Sequence, residues 1–422
     1  METVQSQQNR IRIGTKIFLI AASFALPIAV LVWFMVSSIN ANIEFAHKEL
    51  EGTAFLRPLM AVQKGIHDFT VATQGCQAAD CGAQANAAKA AVSSALARLE
   101  EENRAHGESL QFTADGLGKR GRAGIDVAKL RTQWAKIESG GGTADDLTSL
   151  MTNIRTVITH AGDTSNLMLD PDLDSFYLMD AILVGAPQMQ DRLGDIYKQT
   201  LNSTVEADTI LAVDAALLDE CDYGRVVASS TTAMNEDPNF YGVSATLRPS
   251  VTAALEKLGV PAKSLIGLLK TRSKDSGQIR ALAMAARNAE LSYWNTAVTE
   301  LDRLLEARIA DYAGQRVRSL SVSGLAIIAA SILAFVLMRS ITIPLEKLVR
   351  SLGPGATLLT GCVERIAMVS QQERPDPEEA SIICDELNAH ADDMRKAVLE
   401  LARQVRGAEA ESLANSAAGS RD

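Results

Sequence analysis

The stretch IFLIAASFALPIAVLVWFMV, residues Ile17–Val36, decides the fold class together with LSVSGLAIIAASILAFVLM at Leu320–Met338. Neither stretch contains Asp, Glu, Lys or Arg. Each reaches the ~20 apolar residues that a helix needs to cross about 30 Å of hydrocarbon. Pro27 is compatible with a span, because membrane helices tolerate proline better than soluble helices do. The pattern predicts transmembrane helices at 17–38 and 319–338.

Each stretch has an alternative interpretation. The first could be a cleaved signal peptide, but its apolar run exceeds the ~7–15 residues of such peptides and no A-x-A-like cleavage site follows it. The second could be a buried core helix of a soluble protein. Arg339 directly after it, with Lys347 and Arg350 beyond, is more typical of the end of a membrane span.

The orientation follows from the basic residues that flank the first span. Arg10, Arg12 and Lys16 lie before it, so the positive-inside rule predicts a cytoplasmic N-tail at 1–16. The second span then returns the chain to the same side. We therefore expect a multi-pass protein of the bacterial inner (cell) membrane, a lipid bilayer, with the large segment 39–318 in the periplasm.

Charge is distributed unevenly along the chain. The 422 residues include 41 Lys and Arg and 51 Asp and Glu, for a formal net charge of −10. Residues 41–318 alone hold 28 basic and 36 acidic residues, a net charge of −8. Since contact with phosphates needs a surplus of Lys and Arg, the composition excludes a general nucleic-acid binder.

The segment 39–318 is expected to be a bundle of helices, because Ala, Leu, Gln, Glu and Arg dominate it and alternating strand patterns are scarce. Two antiparallel bundles would account for the number of helices, which makes the fold class all-α. The expected helices run to about Val71 from the first span, and over about Ala83–Ala105, Gly124–Glu138, Ala144–Met168 and Asp172–Asp222, the last with a break near Gly185–Pro187. Residues 223–245 are rich in Ser, Thr, Asn and Gly and predict a loop, after which helices resume near Arg248.

An apolar seam precedes the second span. Its members step by 3, 4, 3, 4, 4 and 3 residues: Leu291, Trp294, Val298, Leu301, Leu305, Ile309 and Tyr312. This spacing is close to the 3.5-residue coiled-coil period and predicts a packed helix without interruption. Such a helix can carry a small displacement towards the span.

Five cysteines allow a limited set of bonds. Cys76 and Cys81 flank the polar stretch QAAD, and an oxidising periplasm permits a disulfide between them, with reduced thiols as the alternative. No His lies near these two cysteines, so the C-x4-C spacing does not favour a zinc site. Cys221 is the odd cysteine of the outer segment, whereas Cys362 and Cys384 fall in the cytoplasmic part, where thiols stay reduced. No metal and no cofactor is predicted.

The most distinctive local pattern is SNLMLDPDLDSFY at 165–177. Asp170, Asp172 and Asp174 alternate as in a calcium loop, but an EF-hand needs Gly at its sixth position and Glu at its twelfth, where this chain has Ser and Ala. The start of a helix explains the pattern better. Asp170 is expected to cap it, Pro171 to occupy its first position, and Asp172 and Asp174 to meet the positive end of its dipole.

Two stretches carry a resemblance to a known family. LMLDPDLDSFYLMDAILVGAPQMQDRLGDI at 167–196 and ELEGTAFLRPLMAVQKGIHDF at 49–69 are similar to the helical periplasmic domains of methyl-accepting chemotaxis proteins and related bacterial membrane sensors. Where the family often has His-Arg-Gly-like residues, this chain has Gly65–His67. The resemblance implies a sensor architecture and a homodimer. It does not identify the small-molecule ligand expected in the periplasm.

Four residues are candidates for contact with that ligand. Arg57 lies beside Pro58 in the stretch that resembles the start of the family domain, and His67 and Arg192 also lie on predicted helices. Tyr177 could supply an aromatic wall. Charged residues on helices are usually only solvated, which is the alternative interpretation for each of them.

The sequence RSITIPLEKLVRSL follows the second span, and its apolar residues again have helical spacing. Arg339, Pro344 and Leu345 resemble the opening of a HAMP linker, the short parallel coiled coil that follows the last span in chemoreceptors and sensor kinases. An ordinary juxtamembrane helix is the alternative.

A second HAMP helix does not follow promptly, because residues 353–377 contain Gly353, Pro354 and further prolines. EEASIICDELNAHADDMRKAVLEL at 378–401 then resembles such a helix. We expect divergent HAMP-like helices over 339–406 and a disordered tail over 407–422.

These patterns favour a chemoreceptor-like sensor that relays a periplasmic ligand signal through movement of its helices. The alternative is an accessory subunit that lends its helical domain to a separate histidine kinase or full-length chemoreceptor, since residues 339–422 are too few for a kinase domain and lack a receptor's signalling hairpin. The five His residues are scattered without ligand spacing and no nucleophile motif stands out, so an enzyme is not expected.

Overall fold

The computed structural model describes residues 13–75, 80–201, 204–370, 378, 381–396, 398–399 and 403. Every regular element in these residues is helical, which confirms the all-α prediction. The chain divides into two compact units, one formed by Val36–Val317 and the other by Met1–Met35 with Arg318–Asp422.

The α-helices in the described residues are α1 (Ile13–Thr70), α2 (Cys81–His106), α3 (Ala114–Lys119), α4 (Val127–Glu138), α5 (Ala144–Thr164), α6 (Leu173–Asp180), α7 (Ala186–Gln199), α8 (Val205–Leu217), α9 (Gly224–Glu236), α10 (Leu247–Lys270) and α11 (Ser276–Ser370). Wider π-helical turns occur at Val71–Gly75, Ala181–Gly185 and Leu218–Tyr223, and short 3₁₀ turns at Leu167–Leu169 and Asp237–Asn239. The helices expected near 83–105, 124–138 and 144–168 are therefore present, with ends that differ by a few residues.

The unit Val36–Val317 is built around one continuous apolar core. On one side α2 packs on α4 and α4 on α5, and on the other α6 packs on α9 and α8 on α10. Trp134 and Trp294 are fully buried, and their indole nitrogens donate to Ser93 Oγ (2.9 Å) and to the carbonyl of Ile182 (3.0 Å). Each large aromatic ring therefore enters the core with its polar atom bonded.

The seam of α11 is part of this core. Its central members are buried: Trp294, Val298, Leu301 and Leu305. The predicted packing of this helix is confirmed, because these side chains belong to the apolar core of the unit Val36–Val317.

The break expected near Gly185–Pro187 is not present. The helical path continues from α6 through the π turn Ala181–Gly185 into α7, and the interruption lies later, between Gln199 and Val205. A Cβ on Gly185 would lie 2.9 Å from Val226 Cγ2, so this glycine permits close helix packing and does not end the helix.

The loop expected over 223–245 is wrong for its first half, because α9 occupies Gly224–Glu236. Val226, Ser230 and Ala233 form its buried face, with Ser230 Oγ 2.7 Å from the carbonyl of Val226 and 2.6 Å from Tyr293 Oη. Burial of this face outweighs the low helix propensity of its Ser and Thr residues, whose hydroxyls bond back to carbonyls four residues earlier.

The second unit contains the apolar parts of α1 and α11. Within the described residues, these two helices are long and apolar enough to cross a membrane. Their apolar side chains are exposed, with Trp33 at 63% and Leu325 at 67%. A core helix of a soluble protein would bury such side chains, so burial does not explain either stretch.

The interval expected at 353–377 is helical as far as Ser370, because α11 continues through Pro354. Residues 381–396 are also helical, and Arg365 Nη1 lies 2.9 Å from Glu386 Oε2. Arg365 lies shortly before the end of α11, and Glu386 lies equally shortly after the start of the helical residues 381–396. The two helices therefore pair as in an antiparallel hairpin, whereas the helices of a HAMP linker are parallel.

Candidate functional site

The pattern at 165–177 folds around one buried arginine. Arg308 of α11 donates from Nη1 to Glu49 Oε2 of α1 (2.8 Å) and from Nη2 to Asp170 Oδ1 (2.6 Å) and Ser175 Oγ (2.5 Å). Its Nε lies 2.6 Å from Asp172 Oδ2. We call these five residues the Arg308 cluster. It joins α1 and α11 to the segment that begins α6.

Burial makes this cluster electrostatically unusual. Arg308 is 2% exposed and Glu49 is fully buried. Burial, reinforced by the charge of Asp170, raises the pKa of Glu49 to about 9, and burial also raises the pKa of Asp170. Burial opposes the charge of Arg308, but the surrounding carboxylates outweigh it and raise the pKa of the guanidinium. Glu49 is therefore protonated near neutral pH, and two aspartates face one cation.

Three carboxylate oxygens of the cluster, Glu49 Oε1, Asp170 Oδ2 and Asp172 Oδ2, have no hydrogen-bond partner in the described part of the chain, although Asp172 Oδ2 lies within ion-pair distance of Arg308. Neighbouring Asp174 is also buried, and burial raises its pKa to about 6. No group of three or more His, Cys, Asp or Glu side chains among the described residues has the arrangement of a metal site. The Arg308 cluster is thus an ion-pair network whose favourable geometry opposes the cost of desolvation.

Asp174 lies in the first turn of α6 as expected, but the roles expected for Asp170 as the cap and for Pro171 at the first helical position are wrong. Helix α6 begins at Leu173, so Asp172 is its N-cap residue, and the side chain of Asp172 makes no capping hydrogen bond. Asp170 instead accepts from the backbone N–H of Asp172 at 3.0 Å, and Pro171 lies before the helix. The carboxylates turn to Arg308, which is distant in sequence. A signal was present, because Arg308 lies three residues after Leu305 of the seam, on the buried face of α11.

A second polar site surrounds His67, in a cavity of about 240 Å³ between α1, α5 and α7. Charged and polar side chains from all three helices line it together with apolar ones: Ile66, His67, Thr70, Gln74, Leu147, Thr148, Met151, Thr152, Arg155, Asp191, Asp195 and Lys198. We call it the His67 cavity. Cavities that bind small molecules commonly combine apolar walls with a few placed polar groups.

The imidazole of His67 is held from two sides. Its Nε2 lies 3.3 Å from Asp191 Oδ1, which also accepts from Gln63 Nε2 at 3.0 Å, and Arg155 pairs with the other oxygen of Asp191. A Cβ on Gly194 would lie 2.5 Å from the ring atoms Cε1 and Nδ1, so only glycine leaves room for the ring.

The protonation states in this site follow from burial and pairing. Burial lowers the pKa of His67, so the imidazole is neutral near pH 7. Burial opposes ionisation of Asp191, but the hydrogen bond to His67 and the charge of Arg155 outweigh it and lower the pKa of the carboxyl. Asp191 is therefore ionised, and the neutral ring donates to it from Nε2.

A buried polar layer near the His67 cavity was not expected from the sequence. Gln190 donates to the carbonyl of Arg287 at 2.9 Å and to the carboxyl of Glu290, and Arg287 reaches Asp68 at 3.4 Å. Burial raises the pKa of Glu290 well above its ordinary value. These residues connect α7 and α11 to α1 through polar atoms inside the core.

The other ligand candidates do not lie in the His67 cavity. Arg192 pairs with Asp214 (3.1 Å) and with Asp222, which ties α7 to α8 and the π turn after it. Tyr177 is half-buried and packs edge-on against Phe176, with ring centroids 5.5 Å apart.

Arg57 pairs with Asp302 of α11, at 2.5 Å from Nη2 to Oδ2. It lines a different cavity from the one around His67. The structure therefore does not bring the four candidates together into one site. Of the four, only His67 lines the His67 cavity.

The HAMP-like residues and the cysteines occupy the following positions. Arg339 is exposed on α11, and Pro344 and Leu345 lie in the same helix. Cys81 is disulfide-bonded, while Cys76, its expected partner, lies outside the described residues, so that pairing stays a prediction.

No protein-family model, curated protein or solved structure matches this chain.

Proposed function

We propose that this chain is a membrane-anchored sensor of the chemoreceptor type, with residues 39–318 in the periplasm of a bacterium and two spans in the inner membrane. The observation that carries the proposal is the Arg308 cluster. It joins α1 and α11, and these are the two helices whose other parts are long, apolar and exposed.

The cluster supplies a means of relay. A buried ion-pair network resists partial rearrangement, because breaking one contact leaves uncompensated charge, so the cluster favours a switch between discrete packings of the helices over a graded change. A ligand that binds one arrangement of α1, α5 and α7 more tightly than another would shift the population of the two states. The change would pass along the continuous helices α1 and α11 into the spans.

The His67 cavity is the proposed ligand site. It lies between α1, α5 and α7, so a bound ligand would contact α1 directly. Its volume of about 240 Å³ suits a small metabolite.

The topology is testable with two natural cysteines. Cys221 and Cys384 are free and exposed, and the proposal places them on opposite sides of the membrane. A membrane-impermeant maleimide added to intact spheroplasts should label Cys221 and leave Cys384 unlabelled, as identified by peptide mass spectrometry. Both should react after permeabilisation. Equal labelling of both residues in intact spheroplasts would refute the proposed topology.

Ligand binding is testable with a thermal-shift screen of the full-length protein in detergent against small metabolites, because a ligand that binds only the folded state raises its apparent stability. Thr152 lines the His67 cavity and is exposed, whereas Thr156 lies one turn further along α5, outside it. Thr152→Phe should abolish the shift produced by a hit, and Thr156→Phe should keep it. The reverse order, or equal loss in both variants, would exclude this cavity as the site.

The proposal includes a homodimer, which the resemblance to chemoreceptors implies. Mass photometry of the protein in lipid nanodiscs should give two copies per disc. A single copy at every protein concentration tested would contradict that part of the proposal.

A further inference from the structure

A cavity of about 240 Å³ lies between α1, α2 and α11 and is separate from the His67 cavity and the Arg308 cluster. Its polar wall is formed by Arg57 and Lys64 of α1 and Arg98 of α2. Close approach of the helices shapes it, because a Cβ on Gly65 would lie 2.6 Å from Val92 Cγ2. We call it the Arg57 cavity.

The lining of the Arg57 cavity is cationic. Three of its residues carry positive charge, and Asp68 is its single carboxylate. This excess is notable because residues 41–318 have a net charge of −8. A local positive concavity in an acidic domain attracts small anions and disfavours cations.

Donors in this cavity are available to a ligand. Arg98 is exposed and forms no ion pair with any residue that the structure describes. Arg57 reaches Asp302 through Nη2, and a guanidinium has five N–H donors in all. Lys64 pairs with Asp68 across one turn of helix, with its side chain 32% exposed. Each of the three cations therefore retains solvent access or spare donors.

Apolar atoms complete the cavity, from Met60, Ala61 and Leu291. An inorganic ion would leave this surface without a partner, whereas a short carbon chain would cover it. We propose that the Arg57 cavity binds a small organic dianion, with carboxylates held by Arg57, Lys64 and Arg98. The site stands on its own geometry and does not depend on the membrane role proposed above.

Such an anion would also act on the contact between α1 and α11. Asp302 of α11 accepts from Thr53 (2.5 Å) and from Arg57, both on α1. A bound carboxylate competes with Asp302 for the guanidinium of Arg57 and so weakens that contact. Anion binding is thereby coupled to the pairing of these two helices.

The test is titration calorimetry of the full-length protein in detergent with succinate at constant ionic strength. Three further probes separate the chemistry: succinamide is the neutral analogue, 1,4-diaminobutane the cationic one, and inorganic phosphate an anion without a carbon chain. Arg98→Gln and Lys64→Gln are the test variants. Arg104→Gln is the matched control, because Arg104 is exposed on the same helix α2 and lies outside the cavity.

Succinate should bind, and each test variant should weaken its binding about tenfold or more, as expected for loss of a charge-assisted hydrogen bond. Arg104→Gln should bind like the wild type, and succinamide and diaminobutane should not bind. Absence of succinate binding, equal binding of succinamide, or equal loss in Arg104→Gln would overturn the proposal. Binding of phosphate without succinate would overturn the organic class of the ligand.

Discussion

Replacement of Arg308 by Gln is the most direct test of the Arg308 cluster. The change removes the one cation that contacts Glu49, Asp170 and Asp172, at 2.8, 2.6 and 2.6 Å. Removing one partner of a buried ion pair costs about 3–5 kcal/mol, because the remaining charge stays buried and uncompensated. Since 1 kcal/mol corresponds to roughly 2–4 °C in a domain of about this size, Tm should fall by about 6–20 °C.

The protonation of the cluster makes this loss depend on pH. Glu49 is already protonated near neutral pH, so the uncompensated charge in Arg308→Gln is that of Asp170 and Asp172. Because burial raises the pKa of Asp170, lowering the pH protonates this carboxyl and should reduce the difference in Tm between the variant and the wild type. Arg308→Lys keeps the charge but loses the planar fork of donors, and its Tm should lie between the two.

The assay is thermal unfolding of the full-length protein in detergent, followed by far-UV circular dichroism. Arg280→Gln is the matched control, because Arg280 lies on the same helix and forms no ion pair with any described residue. It should change the free energy of unfolding by no more than about 0.5 kcal/mol. If Arg308→Gln and Arg280→Gln lower Tm equally, the cluster does not hold the helices as argued.

Three further predictions concern Glu49, Gly194 and Cys81. The pKa of Glu49 is raised to about 9 in the folded state, so its contribution to stability is full below the ordinary value of 4.5 and declines as the pH rises towards 9; Tm should fall over that interval, and Glu49→Gln should flatten the profile, whereas an unchanged profile would contradict this. Gly194→Ala should lower the free energy of unfolding by about 1–3 kcal/mol because its Cβ meets His67, whereas Gly267→Ala, with open space at its Cβ, should be neutral or stabilising by up to about 1 kcal/mol in denaturant titrations. Reduction with dithiothreitol should lower Tm, because Cys81 is disulfide-bonded, and an unchanged Tm would show that the bond does not stabilise the fold.

Features that depend on neighbours in sequence could be predicted well. The two apolar stretches and the helices α2, α4 and α5 follow from composition and from helical spacing, and the structure contains each of them. Likewise, the spacing of the apolar residues in the seam of α11 predicted that this helix is packed, and the central residues of the seam are buried.

Features that depend on distant partners could not be predicted in the same way. Helix α9 has a loop-like composition, and its stability comes from a buried face and from Tyr293. The local sequence around the aspartates at 170–174 is typical of a helix start. No residue near them in sequence indicates that they form ion pairs with Arg308. Arg57, for the same reason, could be identified as a candidate but not assigned its partner Asp302.

The π turns at Ala181–Gly185 and Leu218–Tyr223 have a consequence for how this chain should align with its relatives. In each turn a glycine or alanine N–H bonds five residues back, from Ala186 to Ala181 and from Gly224 to Asp219. A π turn of this kind forms when one residue is inserted into an α-helix. The side chains after the insertion then point in a direction rotated by one residue around the helix axis. Because the two turns pack against each other, we expect related sequences to carry single-residue gaps at both positions or at neither.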